Sequence, residues 1–293
     1  MRERQYWKVT PLIFALAAMI LVAPEIAPGQ GVPPPTVSST SAGSASRNVI
    51  IIGFVGGFVS PGDTKHPEVQ FAAYLRDRYR TVHAEVFGNH HGRKALRQVV
   101  RILDIDHDGA LSRLEKERAT IIIYGHSWGA TETVAFAREL DQLGVPVALT
   151  IQIDTIGKPG HKAFPVPPNV ASAINFYQTG GPLHGAPEIV AADSARTKII
   201  GNFRMTYEDH PINCNNYRWY ARVFNKPHHE IENDLRVWDG AALLIDSDLS
   251  GAASTDQSLS PSESPFFKDL RRGSQAYGTE TPLFEFSRET TDK

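Results

Sequence analysis

Cysteine is almost absent from this chain of 293 residues, which contains Cys214 alone. One cysteine cannot form a disulfide within the chain, and a small buried side chain is its simplest interpretation. The cysteine content therefore does not indicate whether the protein works in a reducing or an oxidising compartment.

An excess of one charge is also missing. The chain has 30 basic and 32 acidic residues, which give a formal net charge of -2. Proteins that bind nucleic acids usually carry a clear excess of lysine and arginine on at least one surface. The charge balance therefore predicts that nucleic acid is not a partner.

The apolar run at residues 11–23 is shorter than a membrane-spanning helix, which needs about 20 residues. It follows the basic residues Arg2, Arg4 and Lys8 and precedes small residues and prolines. This order is typical of a secretory signal peptide. We therefore expect residues 1–28 to direct a secreted or periplasmic protein. The alternative is an uncleaved anchor that attaches the protein to the membrane.

Two further segments have a composition that is typical of disordered chain. Residues 29–47 are mostly Pro, Ser, Thr, Ala and Gly, and residues 247–293 are polar and rich in serine. Such segments bury too little apolar surface to offset the entropy that is lost on ordering. We therefore expect one globular domain, residues 48–246, between a linker and a mostly disordered tail.

The centre of the chain contains a Gly-x-Ser-x-Gly motif in an informative context. Residues 121–124 form an apolar run typical of a buried strand, Gly125 to Gly129 follow, and residues 131–140 have a helical pattern. In this context the two glycines allow a sharp turn that exposes the serine hydroxyl above a sheet. The motif predicts Ser127 as a nucleophile. The alternative is a chance Gly-x-Ser-x-Gly in a loop.

Strands and helices alternate along the predicted domain. An apolar run covers residues 48–55, a helical pattern begins at residue 67, and the alternation continues to a closing helix at residues 229–244. Such alternation predicts an α/β fold, with a mainly parallel sheet that is covered by helices on both faces. Reacting groups of such folds lie beyond the carboxyl ends of the strands. The other predicted strands are residues 81–87, 145–153, 173–178 and 198–207, and the other helices are residues 94–103 and 131–140.

A serine nucleophile needs a base within hydrogen-bond reach, and the base needs an acid that orients it. Asp154 closes a predicted strand and is the first candidate for the acid, ahead of Asp193 and Asp209. Two adjacent histidines, His228 and His229, open the last predicted helix and are the candidates for the base. The order serine, acid, histidine matches that of α/β-hydrolases. Periodicity alone does not choose between the two histidines.

An acyl-transfer site also needs backbone N–H groups that stabilise the developing oxyanion. One is expected from Trp128, the residue after the nucleophile. The other is expected from the loop after the first strand, where glycines allow substrate to approach the backbone closely. Phe54 and Val55 are the two candidates for this second donor.

Five short motifs, at residues 53–57, 125–129, 153–155, 175–178 and 228–231, together resemble small bacterial α/β-hydrolases of lipase or esterase type. The resemblance covers residues 48–246 and implies the α/β-hydrolase fold. In that group a histidine followed three residues later by an isoleucine is the base, which favours His228, with Ile231, over His229. No long lid-like segment is evident between Asp154 and His228. We therefore expect a compact domain with little or no lid, open to soluble or short-chain esters.

A calcium-binding pattern lies just before the nucleophile strand. Residues 104–115 match the EF-hand loop at every constrained position and resemble EF-hand and dockerin-type loops. Gly109 supplies the sharp turn, and Leu111 is the apolar residue that the pattern expects at its eighth position. The predicted ligands are Asp104, Asp106, Asp108, the Ala110 carbonyl, Ser112 (directly or through water) and both oxygens of Glu115. We expect a structural Ca²⁺ ion; the alternative is a solvated acidic loop.

The sequence therefore predicts a serine hydrolase that cleaves a carboxylic ester through an acyl-enzyme. Two alternatives use the same residues. One is a calcium-binding protein on a catalytically inactive hydrolase scaffold, and the other is an acyltransferase whose acceptor is not water. The expected partners are a small ester or lipid substrate and Ca²⁺, with membrane attachment through residues 1–28 if that segment is not cleaved.

Overall fold

The structure, a computed structural model, describes residues 47–158, 164–215, 217, 219, 223 and 225–251. The predicted signal or anchor segment (1–28), nearly all of the linker (29–47) and most of the tail (247–293) lie outside these residues. Their predictions therefore stay predictions. In the part of the chain that the structure describes, no helix is both long enough and apolar enough to cross a membrane.

The sheet has six parallel strands in the order β2-β1-β3-β4-β5-β6. The strands are β1 (Asn48–Phe54), β2 (His83–Phe87), β3 (Ala119–His126), β4 (Val147–Ile153), β5 (Val170–Tyr177) and β6 (Lys198–Arg204). The central strands β1, β3 and β4 are rich in isoleucine and buried along most of their length, as expected for strands covered on both faces. All six strands coincide with predicted strands, with ends that differ by a few residues.

Helices cover both faces of the sheet. They are α1 (Pro67–Arg78), α2 (Gly92–Leu103), α3 (Arg113–Glu117), α4 (Trp128–Gln142), α5 (Lys226–Asn233) and α6 (Leu235–Gly251). Successive side chains of a strand point to opposite faces, so Ile50 and Ile51 enter different cores. Ile51 packs in one core with Phe71 of α1 and Trp238 of α6. Ile50 packs in the other with Phe136 of α4 and residues of α2. The predicted α/β fold, with a parallel sheet between two helical layers, is confirmed.

The C-terminal part of the domain differs from the prediction. The single helix expected at residues 229–244 is two helices, α5 and α6, separated by Asp234. Asp234 has an extended backbone (φ −77°, ψ 109°), and its Oδ1 accepts the backbone N–H of Arg236 at 2.9 Å. An aspartate in this position caps the start of a new helix, a break that periodicity does not reveal. Helix α6 continues to Gly251, beyond the domain boundary expected at residue 246.

The strand order creates a switch point between β1 and β3. The chain runs from β1 to the edge strand β2 and then crosses back to β3 on the other side of β1. In parallel sheets a crevice opens beyond the carboxyl ends of the strands at such a point. Phe54 of β1 is in register with Gly125 of β3 at this end. The Gly-x-Ser-x-Gly motif therefore begins at the crevice.

Candidate active site

Ser127 makes the whole turn between strand β3 and helix α4. The strand ends at His126 and the helix begins at Trp128. The backbone of Ser127 has φ 58° and ψ −121°, a conformation that is strained for a residue with a side chain. Such strain costs about 1–3 kcal/mol and is concentrated at functional sites. The turn presents the serine hydroxyl at the carboxyl edge of the sheet, as a nucleophile elbow does.

The two glycines of the motif allow this turn because other backbone lies directly against them. A Cβ atom on Gly125 would clash with the backbone of Gly129, and a Cβ atom on Gly129 would clash with the carbonyl oxygen of Phe54. A larger residue at position 125 would push the start of α4 away from β3, and one at position 129 would push it away from β1. The spacing of the motif therefore follows from the close packing of α4 on the sheet.

Ser127, His228 and Asp154 form a continuous chain of hydrogen bonds, here called the Ser–His–Asp chain. Ser127 Oγ lies 3.1 Å from His228 Nε2, and His228 Nδ1 lies 2.6 Å from Asp154 Oδ2. The aspartate can only accept when ionised, so Nδ1 carries the proton and Nε2 is left to accept the serine proton. All three residues are buried. The structure brings together the three residues that the sequence selects.

Asp154 is held by donors from the loop that follows β5. Its Oδ1 accepts the N–H of Gly185 at 2.6 Å, and its Oδ2 accepts the side-chain amide of Gln178 at 2.8 Å. These bonds compensate for the complete burial of the carboxylate and fix its orientation. The reserve candidates Asp193 and Asp209 are both exposed and form no part of the Ser–His–Asp chain.

His229, the alternative base, points elsewhere. Its ring stacks on the ring of Tyr217 with a centroid distance of 4.1 Å, and its Nδ1 lies 3.6 Å from Glu232 Oε2. His228 precedes it by one residue on helix α5, so the two side chains leave the helix about 100° apart. Only His228 has a nitrogen within hydrogen-bond reach of Ser127.

His228 is suited to accept a proton at neutral pH. Burial lowers the pKa of His228, and the neighbouring ring of His126 lowers it further. The hydrogen bond and charge of Asp154 act in the opposite direction, but the pKa remains below its ordinary value. A neutral imidazole held by a carboxylate is the form that a general base needs.

Sequence reasoning missed the polar group that surrounds His126. Burial alone would lower the pKa of His126, but the carboxylates of Glu232 and Glu68 outweigh burial and raise this pKa to about 9. Glu68 and Glu232 lie on helices α1 and α5, and both are buried. No sequence motif includes both residues, because they are far apart in the chain. They come together only when the two helices pack on the same face of the sheet.

One predicted oxyanion donor is contradicted by the structure. The N–H of Val55 donates to the carbonyl oxygen of Phe87 at 3.0 Å, so this N–H is already used to extend the pairing of β1 with β2. Phe54, the other candidate, lies inside the sheet opposite Phe87 and Gly125. Trp128 is better placed, because the first N–H groups of a helix have no acceptor within it.

The next two glycines, Gly56 and Gly57, lie beside the elbow. A Cβ atom on Gly56 would lie 3.5 Å from Ser127 Cβ, and one on Gly57 would lie 2.8 Å from the ring of Trp128. Asn89 Nδ2 donates to the Gly56 carbonyl oxygen at 2.6 Å. Because the C=O and N–H of a trans peptide point in opposite directions, this bond turns the Gly57 N–H away from Asn89. The Gly56–Gly57 peptide is thereby fixed beside the elbow.

Aromatic side chains lie at the mouth of the site. The ring of Phe58 is 98% exposed and lies 5.3 Å from the ring of Trp128. His90 contacts the same indole, with a centroid distance of 6.1 Å. Phe58 has a positive φ of 63°, which is rare for a large residue. Phe58 is thus an exposed, strained aromatic residue beside Trp128, the residue that follows Ser127.

The candidate calcium loop has much of the geometry of an EF-hand loop. One carboxylate oxygen of Asp104, Asp106 and Asp108 lies within 4.8 Å of the others. Gly109 has φ 83°, and its N–H donates to Asp104 Oδ2 at 3.1 Å. The second oxygen, Asp104 Oδ1, is buried and has no hydrogen-bond partner among the described residues. A hard cation with oxygen ligands would satisfy that atom, so these residues fit Ca²⁺.

Glu115 occupies the last loop position but does not converge with the three aspartates. Its Oε1 accepts the N–H of Ile105 at 2.6 Å, and its Oε2 accepts the N–H and hydroxyl of Ser112 at 2.8 Å. Ser112 and Glu115 thus form a capping box at the start of α3. The two-oxygen ligation expected from Glu115, and the roles of Ala110 and Ser112, stay predictions.

Comparison with known proteins gives weak similarities. An acetylxylan esterase structure is 11% identical, with a TM-score of 0.36, over 70% of this chain and 100% of that one. A protein of Xanthomonas campestris pv. campestris, described as a hydrolase of the alpha/beta superfamily, is 19% identical, with a TM-score of 0.29, over 68% and 99%. No family model matches the chain. No curated protein matches it.

Because these similarities are weak, the fold is assigned from the chain's own topology. Three features of the chain together define this fold. They are the six parallel strands, the switch point between β1 and β3, and the strained serine between β3 and α4. The chain has the α/β-hydrolase fold.

Proposed function

We propose that the protein is a serine hydrolase that cleaves carboxylic esters. The observation that carries this proposal is the Ser–His–Asp chain, with distances of 3.1 Å and 2.6 Å, ending on a serine in a strained strand-to-helix turn. Hydroxyl nucleophiles are weak unless a base takes their proton. The Ser–His–Asp chain supplies that base and the acid that orients it.

In the first half of the reaction, Ser127 Oγ attacks the ester carbonyl carbon while its proton moves to His228 Nε2. The carbonyl π electrons move onto the oxygen, which becomes an oxyanion. Asp154 stabilises the resulting imidazolium without taking its proton. The imidazolium then gives the proton to the leaving alcohol oxygen, and the carbon–oxygen bond of the ester breaks to leave an acyl-serine.

In the second half, His228 takes a proton from water, whose oxygen attacks the acyl carbon. Collapse of this second intermediate returns the proton to Ser127 and releases the acid. The Trp128 N–H and the N–H of the Gly56–Gly57 peptide are the donors that we assign to the oxyanion. Phe54 remains the alternative from the sequence prediction. Donors of this kind contribute about 2.7–4 kcal/mol each to lowering the barrier.

The assignment is tested with a p-nitrophenyl ester and a Ser127→Ala variant. Wild-type protein should release p-nitrophenol with saturation kinetics, and the variant should lose nearly all of this turnover. Equal turnover by the two proteins would exclude Ser127 as the nucleophile. Product analysis with an added alcohol distinguishes hydrolysis from the acyltransferase alternative, which would yield a new ester.

We also propose a structural Ca²⁺ ion in the loop at residues 104–115, bound by Asp104, Asp106 and Asp108 with the Ala110 carbonyl, Ser112 and Glu115. Support comes from the convergence of the aspartates and the unpartnered Asp104 Oδ1. A cation there would neutralise clustered carboxylates and brace the segment between α2 and β3. Export from the cytoplasm through residues 1–28 belongs to the same proposal, since extracytoplasmic calcium would fill even a weak site.

A further inference from the structure

A second group of ionisable side chains lies beneath the elbow, outside the Ser–His–Asp chain. It consists of Glu68 on α1, Glu232 on α5, His66 just before α1, and His126 at the end of β3. We call it the His–Glu cluster. Glu68 is fully buried, and Glu232 and His126 are each 2% exposed. Two carboxylates so far from solvent need a compensating positive charge.

The side-chain atoms of this cluster converge on a small volume. One ligand atom each of His66, Glu68 and Glu232 lies within 4.8 Å of the others. His126 Nδ1 lies 3.4 Å from Glu68 Oε1 and 3.8 Å from Glu232 Oε2. Atoms bound to one tetrahedral zinc ion at about 2.0–2.1 Å are separated by about 3.4 Å. The separations around His126 are close to that value.

The bonding inside the cluster is incomplete. Both carboxylate oxygens of Glu68 are buried and neither accepts a hydrogen bond from a described residue. Both ring nitrogens of His126 are also buried without a hydrogen-bond partner among the described residues. The 3.4 Å separation of His126 Nδ1 from Glu68 is within ion-pair range, but its geometry is not that of a hydrogen bond. Buried polar atoms in native proteins are normally satisfied, so a group that binds them is to be expected.

We propose that the His–Glu cluster binds a divalent metal ion of the zinc class. His66, His126, Glu68 and Glu232 supply two imidazole nitrogens and two carboxylate oxygens. This donor set suits zinc, whereas Ca²⁺ and Mg²⁺ prefer oxygen ligands alone. Ligand atoms of His66, Glu68 and Glu232 already lie within 4.8 Å of one another, and His126 would supply the fourth ligand. A site with four protein ligands has no open position, which is typical of structural zinc. The proposal does not depend on the esterase activity.

The surroundings of His66 support its role as a ligand. Its Nδ1 forms a hydrogen bond of 2.6 Å with Glu232 Oε1, a contact that a bound ion would replace, while its Nε2 lies 3.8 Å from Asp63 Oδ2. Metal-binding histidines usually direct their second nitrogen to a carboxylate or carbonyl, which fixes the ring and increases its basicity. The metal would tie the start of α1 and the end of β3 to α5. Helix α5 also carries His228, so the ion would hold the base close to the elbow.

Protonation of His66 and His126 is the rival way to neutralise the two carboxylates. A protonated His126 would form ion pairs through Nδ1 with Glu68 at 3.4 Å and Glu232 at 3.8 Å, without hydrogen-bond geometry, and its Nε2–H would have no partner among the described residues. A metal ion on Nδ1 would leave only the Nε2–H without such a partner. A metal ion would also bond directly to Glu68, whereas protonation leaves Glu68 with an ion pair and no hydrogen bond from the described residues.

The test uses the untagged full-length protein, purified without chelators and desalted. Elemental analysis should find about one zinc per chain, as expected for one four-ligand site. Cobalt(II) added to metal-free protein should give the visible absorption bands of a tetrahedral cobalt site. Glu68→Gln should lose both the zinc and the cobalt bands. Glu230→Gln is the matched control, because Glu230 is a buried glutamate of α5, the helix of Glu232, and pairs instead with Lys226 and the Ile212 N–H.

His66→Gln is a second test that does not depend on whether Glu68→Gln folds. His66 is only partly buried, so its replacement should disturb the fold less. This variant should remain folded by circular dichroism and bind zinc at least about tenfold more weakly, since loss of even a residue that only supports a ligand costs about 10- to 100-fold. Added zinc should raise the melting temperature of metal-free wild type and of Glu230→Gln but not of Glu68→Gln. Wild-type protein without zinc and without cobalt bands would overturn the proposal, and so would wild-type zinc content in Glu68→Gln.

Discussion

The ring of His126 lies 4.6 Å from the ring of His228, centroid to centroid, with 31° between their planes. The residue that precedes the nucleophile therefore packs directly on the proposed base. Through His126, the base is also in contact with the buried carboxylates of Glu68 and Glu232. The Ser–His–Asp chain and the His–Glu cluster are two layers of one polar interior at the carboxyl edge of the sheet.

The two adjacent histidines should differ sharply in their effect on turnover. His228→Asn removes the base that contacts Ser127, and we expect kcat to fall by roughly 10³-fold or more, as for loss of other triad members. His229→Asn removes a ring stacked on Tyr217 and should change kcat by less than about tenfold, because that ring does not touch the nucleophile. Steady-state kinetics on a p-nitrophenyl ester measures both values. A larger loss in the His229 variant would contradict the assignment.

Asn89 should act as a positioning residue for the oxyanion donors. Its side-chain amide donates a hydrogen bond to the Gly56 carbonyl oxygen. Its backbone carbonyl accepts a hydrogen bond from Lys158, which in turn pairs with Glu132 of α4. Asn89→Asp keeps the shape but removes the donor to Gly56. We expect kcat to fall by about 10- to 100-fold with little change in KM, since the oxyanion forms only in the transition state.

The control for this prediction is Asn169→Asp. Asn169 also donates from its side-chain amide to backbone carbonyls, those of Ala137 and Val145, but at the amino ends of the strands. This variant should lower the melting temperature and leave kcat unchanged. If Asn169→Asp lowers kcat as much as Asn89→Asp does, the effect of Asn89 is a general loss of stability.

Calcium should stabilise the protein through the loop at residues 104–115. Adding Ca²⁺ to protein treated with EGTA should raise the melting temperature, because an ion that binds only the folded state stabilises it by mass action. Glu115→Gln should reduce or abolish this rise, since it removes a charged ligand. Glu117→Gln is the control, because Glu117 is an exposed partner of Arg113 outside the loop. No shift in the wild type would exclude the calcium site.

The elbow could be predicted from sequence because its chemistry is local. A strand, two glycines that permit close packing and a helix follow one another within a short segment around Ser127. Asp154 could be predicted for a similar reason, since it follows a strand that must end at the same edge as β3. The sheet, its helical layers and the order of the Ser–His–Asp chain follow from these local signals.

The remaining features depend on contacts between distant parts of the chain. The prediction of Val55 as an oxyanion donor is wrong because its N–H donates to the Phe87 carbonyl oxygen. That bond depends on where the pairing of β1 with β2 ends. Two features are local exceptions that periodicity does not resolve: the start of α5, which decides between His228 and His229, and the cap at Asp234. Glu68 and Glu232 are separated by 164 positions in the sequence. They come together only because α1 and α5 pack on the same face of the sheet.

Active-site labelling with a fluorophosphonate probe, followed by peptide mapping, tests the central claim most directly. The probe phosphonylates a serine, with loss of fluoride, only when a base activates the hydroxyl, so it reports on the Ser–His–Asp chain without knowledge of the substrate. We predict one labelled peptide, containing Ser127, in wild-type protein. Labelling should disappear in Ser127→Ala and fall strongly in His228→Asn. A folded wild-type protein that the probe does not label at Ser127 would contradict the account and favour a calcium-binding protein on an inactive hydrolase scaffold.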